Sequence, residues 1–130
     1  MEKNHQTILV VEDHEDTRFM LRVILEQKGY RVVEAEDGIE AIELAECEHP
    51  GLVLMDLSLP TLDGLSAIYH LRCQESLRSL PIIAISGHAA PRDQINAMSA
   101  GCNAYLTKPI DFSQLNNLLH HYVPVYKHAA

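Results

Sequence analysis

The chain has 130 residues, a length typical of one domain that buries a single core without disulfides or metals. Hydrophobic residues make up 47% of it and charged residues 22%, a composition that excludes a disordered or fibrous protein. The formal net charge is −8, with ten basic residues against eighteen acidic ones, so the clustered positive surface that binds nucleic acid is not expected.

Five short apolar runs predict five strands, and helix-like stretches separate them. The runs are 7–11, 30–35, 52–55, 82–85 and 104–107. The first helix lies between the first two runs. Its apolar face carries Met20, Val23 and Ile24, and its opposite face carries Arg18, Arg22 and Glu26. Gly29 is expected to end this helix, because glycine is common just past a helix C-terminus.

Four further helices follow the remaining strands. The second is predicted over about 38–46, with Ile39, Ile42 and Ala45 inward, and the third over about 64–74. Pro91 suits the first turn of the fourth helix and Gly101 its end. Asp111 is a candidate N-cap of the fifth helix, with Gln114 as its capping-box partner. The apolar side of the fifth helix would comprise Phe112, Leu115, Leu118, Leu119 and Tyr122.

Strands rich in Val, Ile and Leu that alternate with amphipathic helices predict an α/β fold with right-handed βαβ units around a buried parallel sheet. We expect one domain over residues 1–130, with a core of about 7–122 between a short polar lead and a short tail. The odd number of cysteines (Cys47, Cys73, Cys102) and the lack of a C-x-x-C pair favour free thiols in a reducing cytosol. No apolar run approaches the roughly 18 residues of a membrane span, which predicts a cytoplasmic protein.

Polar side chains close most of the predicted strands, at the edge where ligands bind in open parallel sheets. They are Glu12 and Asp13 after the first strand, Asp56 after the third, Ser86 after the fourth, and Tyr105, Thr107 and Lys108 along and after the fifth. Three carboxylates at one edge repel each other, and a cation relieves that repulsion. Oxygen ligands favour Mg²⁺. With metal bound, Asp56 is predicted to attack a phosphoryl group, with Lys108 neutralising charge and Ser86 binding the phosphate.

The order and spacing of these motifs resemble the receiver domain of bacterial two-component response regulators, specifically the single-domain chemotaxis type. The matching residues are Val10-Val11-Glu12-Asp13, Leu54-Met55-Asp56-Leu57-Ser58-Leu59-Pro60, Asp63-Gly64, Ser86, Tyr105 and Lys108-Pro109. The resemblance implies a flavodoxin-like (βα)5 fold, doubly wound, with its five parallel strands in the order 2-1-3-4-5. It also implies a cis Lys108-Pro109 bond, which proline permits.

The resemblance further implies a role for each site residue. Asp56 would be the phosphoacceptor, Ser86 the switch hydroxyl, Tyr105 the aromatic switch and Lys108 the lysine of the family. Mg²⁺ or Mn²⁺ would be held by Glu12, Asp13, Asp56 and the backbone carbonyl of Ser58. The donor would be a phosphohistidine on a sensor histidine kinase or a histidine phosphotransfer protein. The chain would signal to an unknown protein target through its fourth helix, fifth strand and fifth helix, as a monomer or weak dimer and not as a turnover enzyme.

Some residues depart from the commonest family pattern or carry alternatives. Glu12 replaces an aspartate, Gly87 follows the switch serine, and Ser58 and His88 occupy positions that tune phosphate lifetime in receivers. His14, His88, His120, His121 and His128 are more simply solvated than metal-bound. The chain could instead be the receiver segment of a larger hybrid kinase or regulator, or a degenerate constitutive adaptor. An aspartyl-phosphate phosphatase of the dehalogenase type is disfavoured, because its second aspartate would stand at Ser58.

Overall fold

The computed structural model describes residues 6–124, and there five parallel strands form one sheet in the order 2-1-3-4-5. The strands are β1 Thr7–Val11, β2 Arg31–Ala35, β3 Leu52–Asp56, β4 Ile82–Ser86 and β5 Ala104–Thr107. The helices are α1 Glu15–Gln27, α2 Gly38–Glu48, α3 Gly64–Cys73, α4 Pro91–Ala100 and α5 Phe112–Tyr122, with a 3₁₀ turn at Glu75–Leu77. The predicted α/β class and strand order are confirmed. The five residues before Gln6 and those after Pro124, including His128, lie outside the described part.

Two apolar layers cover the two faces of the sheet. On one face, β-strand residues such as Leu9 and Met55 pack against α2, α3 and α4. On the other, Ile8 and Leu54 pack against α1 and α5. Every residue of β3 and β4 is buried, which explains why both are continuous apolar runs up to their last residue. No helix within residues 6–124 is long and apolar enough to cross a membrane.

The inward face of α1 differs from the prediction. Arg18, Leu21 and Leu25 are its buried residues, whereas Met20 is 41% exposed and Val23 and Ile24 are only partly buried. The helical pattern of apolar residues gave the wrong inward face because it treated Arg18 as a surface charge. In the fold, the Arg18 guanidinium donates hydrogen bonds to Glu34 and to the backbone carbonyl of Glu12.

Two other apolar residues predicted to face inward are exposed. Ile39 on α2 is 48% exposed and Phe112 at the start of α5 is 41% exposed. On α2 the small side chains of Ala41 and Ala45 make the buried contact instead. A helix that packs closely through alanines leaves larger neighbours at the edge of the contact, so Ile39 projects outward.

Aspartates cap three of the helices, α2, α3 and α5. The Asp63 carboxylate accepts from the backbone N–H of Ser66 at 2.8 Å, and Asp37 caps α2 in the same way. Asp111 accepts from the N–H groups of Ser113 and Gln114, as its predicted role as an N-cap requires. These caps fix where the loops after the strands end and the helices begin.

Candidate functional site

The carboxyl ends of the strands bring the predicted site residues to one edge of the sheet. Asp56 ends β3 and pairs in register with Ile85, so Ser86 lies one residue further along the neighbouring strand. Ser86 in turn pairs with Thr107, which directly precedes Lys108. On the other side of β3, Val11 pairs with Met55, and Glu12 therefore emerges beside Asp56.

Lys108 joins two buried carboxylates at this edge. Its Nζ lies 3.3 Å from Oδ2 of Asp56 and 3.4 Å from Oε1 of Glu12. Both carboxylate side chains are only 3% exposed, whereas that of Lys108 is 33% exposed. One ammonium therefore neutralises only part of the charge of two carboxylates that the fold removes from water, and the site keeps a net negative charge.

The pKa values of Glu12 and Lys108 respond to this crowding. Burial raises the pKa of Glu12, and the Asp56 carboxylate raises it further, against the opposing N–H of His14 and the charge of Lys108. Burial alone would lower the pKa of Lys108, but its attraction to Asp56 and then to Glu12 outweighs burial and raises the pKa overall. Lys108 is therefore a permanent cation near neutral pH, while the carboxylates would gain from a further positive charge.

A cation would find oxygen ligands on the loop after β1. A carboxylate oxygen of Glu12, a carboxylate oxygen of Asp13 and a ring nitrogen of His14 lie within 4.8 Å of one another, and Asp13 is partly open to solvent. The acidic chemistry and this spacing fit a hard divalent cation. Asp56 is outside that three-residue group, but its carboxylate lies beside Glu12, since both contact Nζ of Lys108. The structure thus brings Glu12 and Asp13 together and places Asp56 next to Glu12, and the roles of Asp56 and of the Ser58 carbonyl as metal ligands stay predictions.

The Asp56 carboxylate is held in one orientation. Its Oδ1 accepts the backbone N–H of Ser58 at 2.9 Å, which leaves Oδ2 facing Lys108. The start of α3 approaches the backbone here so closely that a Cβ on Gly64 would lie 2.5 Å from the carbonyl oxygen of Asp56. Only glycine fits at this position, which explains the Asp63-Gly64 pair of the sequence motif.

Ser86 and Tyr105 share a partner in the loop between β4 and α4. The Ser86 Oγ accepts the backbone N–H of His88 at 3.1 Å, and the Tyr105 hydroxyl donates to the carbonyl of the same residue. Ser86 is buried, whereas His88 is exposed and Tyr105 is partly exposed. Next to this edge, the Lys108–Pro109 peptide bond is cis. Both predicted switch residues therefore hold the backbone of one exposed loop.

Comparison with known proteins decides the family. The sequence model of the response regulator receiver domain matches residues 8–120. The chain belongs to this family. A receiver domain is a signalling module of two-component systems and not a turnover enzyme.

Individual receivers agree with this assignment. The chain is 37% identical over 105 residues to the polar-differentiation response regulator DivK of Brucella ovis, covering 81% of this chain and 85% of that one. It is 39% identical to the receiver domain of a sensor histidine kinase from Pseudomonas aeruginosa PAO1, with a TM-score of 0.85 over 92% of this chain and 98% of that one. That crystal structure holds a magnesium ion in its active-site cleft. A chemotaxis protein of Vibrio cholerae, at 24% identity and a TM-score of 0.85 over 91% and 98%, has the same fold.

Sequence reasoning missed one buried charge beside the receiver site. Arg18 on α1 donates from Nη1 to the backbone carbonyl of Glu12 at 2.9 Å and from Nε to Oε1 of Glu34 at 2.9 Å. Arg22 binds the second carboxylate oxygen of Glu34. No local pattern predicts this cluster, because Glu34 lies on β2 and meets α1 only in the fold.

We expect Glu34 to make stability depend on acid pH. Burial would raise the pKa of Glu34, but hydrogen bonds and attraction from Arg22 and Arg18 lower it overall. A folded-state pKa below the unfolded value adds stability that is present above the unfolded pKa and is lost as pH falls through the folded one. In urea titrations, Glu34→Gln should therefore be less stable than wild type at neutral pH and should approach it in acid. Glu43→Gln, at an exposed residue of α2, is the control. A Glu34→Gln deficit that stays constant with pH would contradict this.

Proposed function

We propose that this chain is a working phosphoacceptor: with Mg²⁺ bound, Asp56 takes a phosphoryl group from a phosphohistidine donor, and the modified domain signals to a protein target. The observation that carries the proposal is the position of Lys108, whose Nζ contacts the buried carboxylates of both Asp56 and Glu12. A buried acidic pair with one ammonium is poised for a ligand that brings both a cation and phosphoryl oxygens.

The cation would be held by Glu12 and Asp13, with Asp56 and the Ser58 carbonyl completing the set. Bound there, Mg²⁺ supplies positive charge against the oxygens of the transferring group. Mn²⁺ has similar ligand preferences and would substitute. The magnesium ion seen in the related Pseudomonas receiver supports this choice.

The transfer makes one bond and breaks one. A carboxylate oxygen of Asp56 forms a P–O bond while the P–N bond of the donor phosphohistidine breaks, and the imidazole nitrogen keeps that electron pair. Lys108 remains near enough to stabilise the phosphoryl oxygens, since it already contacts Oδ2 of Asp56. The Ser58 N–H keeps the carboxylate in one orientation throughout.

Signalling would follow from the shared loop of Ser86 and Tyr105. If the Ser86 side chain rotates so that its hydroxyl donates to the phosphate, its Oγ moves away from the His88 N–H and that hydrogen bond is lost. The Tyr105 hydroxyl, bonded to the His88 carbonyl, then loses a fixed partner. The surface of α4, β5 and α5 would change in consequence.

The partners follow from this chemistry. The donor would be a sensor histidine kinase or a histidine phosphotransfer protein, and the receiver would act in the cytoplasm as a monomer or weak dimer, without binding nucleic acid. DivK is a response regulator, whereas the Pseudomonas relative is the receiver of a sensor kinase, so both a separate regulator and a segment of a hybrid kinase fit the similarity. A constitutive adaptor is the remaining alternative.

Intact-mass spectrometry tests the proposal. Wild-type protein incubated with acetyl phosphate should gain one phosphoryl group with Mg²⁺ and none with EDTA, and borohydride reduction followed by peptide mapping should place it at Asp56. Because rapid hydrolysis could hide the adduct, beryllofluoride serves as a stable phosphoryl mimic observed by ¹⁹F NMR. Failure of both reagents would favour the adaptor.

Mg²⁺ should also raise the melting temperature, because it relieves the repulsion among the site carboxylates. A cation at a hundred times its Kd stabilises a protein by about 2.7 kcal/mol. Asp13→Asn should reduce the shift strongly, while Asp16→Asn, at an exposed residue in the first turn of α1, should leave it unchanged. A wild-type melting curve that is indifferent to Mg²⁺ would count against the cation site.

A further inference from the structure

We infer that Arg18 is a positioning residue of the cation site: it holds the backbone of the loop that carries Glu12 and Asp13. This inference rests on the proposed function, because it concerns the affinity of the same site for Mg²⁺. It adds a residue from the body of α1 to a site otherwise made of strand ends.

The burial of Arg18 sets it apart from other charges. The buried polar residues within 6–124 are Glu12, Arg18, Asp56 and Ser86. Glu12, Asp56 and Ser86 were predicted as site residues, whereas Arg18 was not. Burying a guanidinium is unfavourable unless each of its donors finds a partner, so specific hydrogen bonds must compensate.

The compensation comes from two directions. Nη1 donates to the Glu12 carbonyl, and Nε donates to Glu34 on β2, each at 2.9 Å. Nη2 also faces Glu36 at 3.9 Å. The planar fork of the guanidinium therefore ties the loop after β1 to the neighbouring strand at a fixed distance, which a flexible ammonium would do less well.

This tie acts on the two residues that carry the ligand atoms. The Glu12 N–H donates to the Ala35 carbonyl, so the peptide groups on both sides of Glu12 are fixed. The loop then enters α1, where the Arg18 N–H donates to the His14 carbonyl. Without the guanidinium, the Glu12 carbonyl would lose the only donor that contacts it among the described residues. The carboxylates of Glu12 and Asp13 would then sample more orientations.

Positioning and simple electrostatics predict opposite effects, which makes the inference testable. Arg18 is a positive charge near a cation site, so removing it should strengthen Mg²⁺ binding if charge alone matters. If Arg18 positions the loop, removing it should weaken binding in spite of the lower repulsion. Groups that orient metal ligands typically contribute about 10–100-fold in affinity.

The experiment compares Arg18→Met with Arg22→Met by isothermal titration with MgCl₂, below the melting temperature of each variant. Both substitutions remove one positive charge from the same Glu34 carboxylate, but only Arg18 contacts the Glu12 backbone. We expect Arg18→Met to weaken Mg²⁺ binding by about tenfold, at the lower end of that range. Arg22→Met should stay within about twofold of wild type, since it touches no site residue.

Three results would overturn the inference. They are unchanged or tighter binding by Arg18→Met, equal weakening by Arg22→Met, and wild-type affinity in Arg18→Lys, which would show that the paired donors of the guanidinium are not needed. If Arg18→Met does not fold, Arg18→Lys replaces it, with weakening expected and wild-type affinity contradicting the inference. Wild-type protein that does not bind Mg²⁺ would defeat the proposed function itself, whereas wild-type binding that Arg18 variants retain would defeat only this inference.

Discussion

Asp56→Asn should abolish phosphorylation by acetyl phosphate, with no adduct above background in intact-mass spectra. Asparagine has nearly the same shape, and its side-chain oxygen still accepts the Ser58 N–H, so the loop after β3 keeps its geometry. What it lacks is the anionic oxygen that forms the P–O bond, and a neutral amide is not a nucleophile at neutral pH. The loss therefore reports on chemistry and not on folding.

Asp63→Asn is the matched control for that result. Asp63 lies in the same loop and is exposed, and asparagine caps a helix about as well as aspartate, so α3 should begin unchanged. This variant should be phosphorylated at the wild-type rate. Phosphorylation that persists in Asp56→Asn, or that is lost equally in Asp63→Asn, would refute the assignment of Asp56.

Arg72→Met should lower the free energy of unfolding by about 3 kcal/mol, the combined effect of several lost charge-assisted hydrogen bonds. Arg72 lies on α3, and its guanidinium donates to the carbonyl oxygens of Gly101, Leu77 and Arg78 and to Oδ1 of Asn103. It therefore joins α3, the 3₁₀ turn, the end of α4 and the start of β5. Methionine keeps the apolar stem but leaves those acceptors without their donor.

The end of α4 leaves little room for relaxation around Arg72. A Cβ on Gly101 would lie 2.7 Å from Cγ of Arg72, and Gly101 has a φ of 122°, which suits glycine. Urea titration is the measurement, with Arg92→Met on the exposed face of α4 as the control. The control should change stability by less than about 0.5 kcal/mol. An Arg72→Met effect no larger than that would show that the carbonyls are satisfied by water.

Much of this fold could be predicted because its signals are local. β3 and β4 are buried on both faces, so they are uninterrupted apolar runs, whereas α2 and α3 begin at capping aspartates and α4 begins at Pro91. Alternation of such strands and helices leaves few topologies open. The site residues were predictable for the same reason: a polar residue that ends a buried strand must lie at the ligand-binding edge.

The inward faces of the helices were harder to predict. The prediction for α1 put Met20 inside and Arg18 outside, and the structure reverses both. Hydrophobicity ranks a lone arginine as a surface residue, but burial is decided by whether its donors find acceptors. Those acceptors, the Glu12 carbonyl and Glu34, come from two other elements.

The sequence by itself determined the fold class, the strand order through its family resemblance, and the identity of Asp56, Glu12 and Lys108 as the groups that meet at the sheet edge. Only the tertiary structure decided that Lys108 contacts both buried carboxylates and that Ser86 and Tyr105 both bond to the backbone of His88. It also decided that Arg18 and Arg72 donate hydrogen bonds to several distant segments. The physical reason is the separation along the chain of the residues that determine each feature. Strand and helix patterns depend on neighbours a few residues away, whereas a buried charge is stable only where distant segments supply its hydrogen-bond partners.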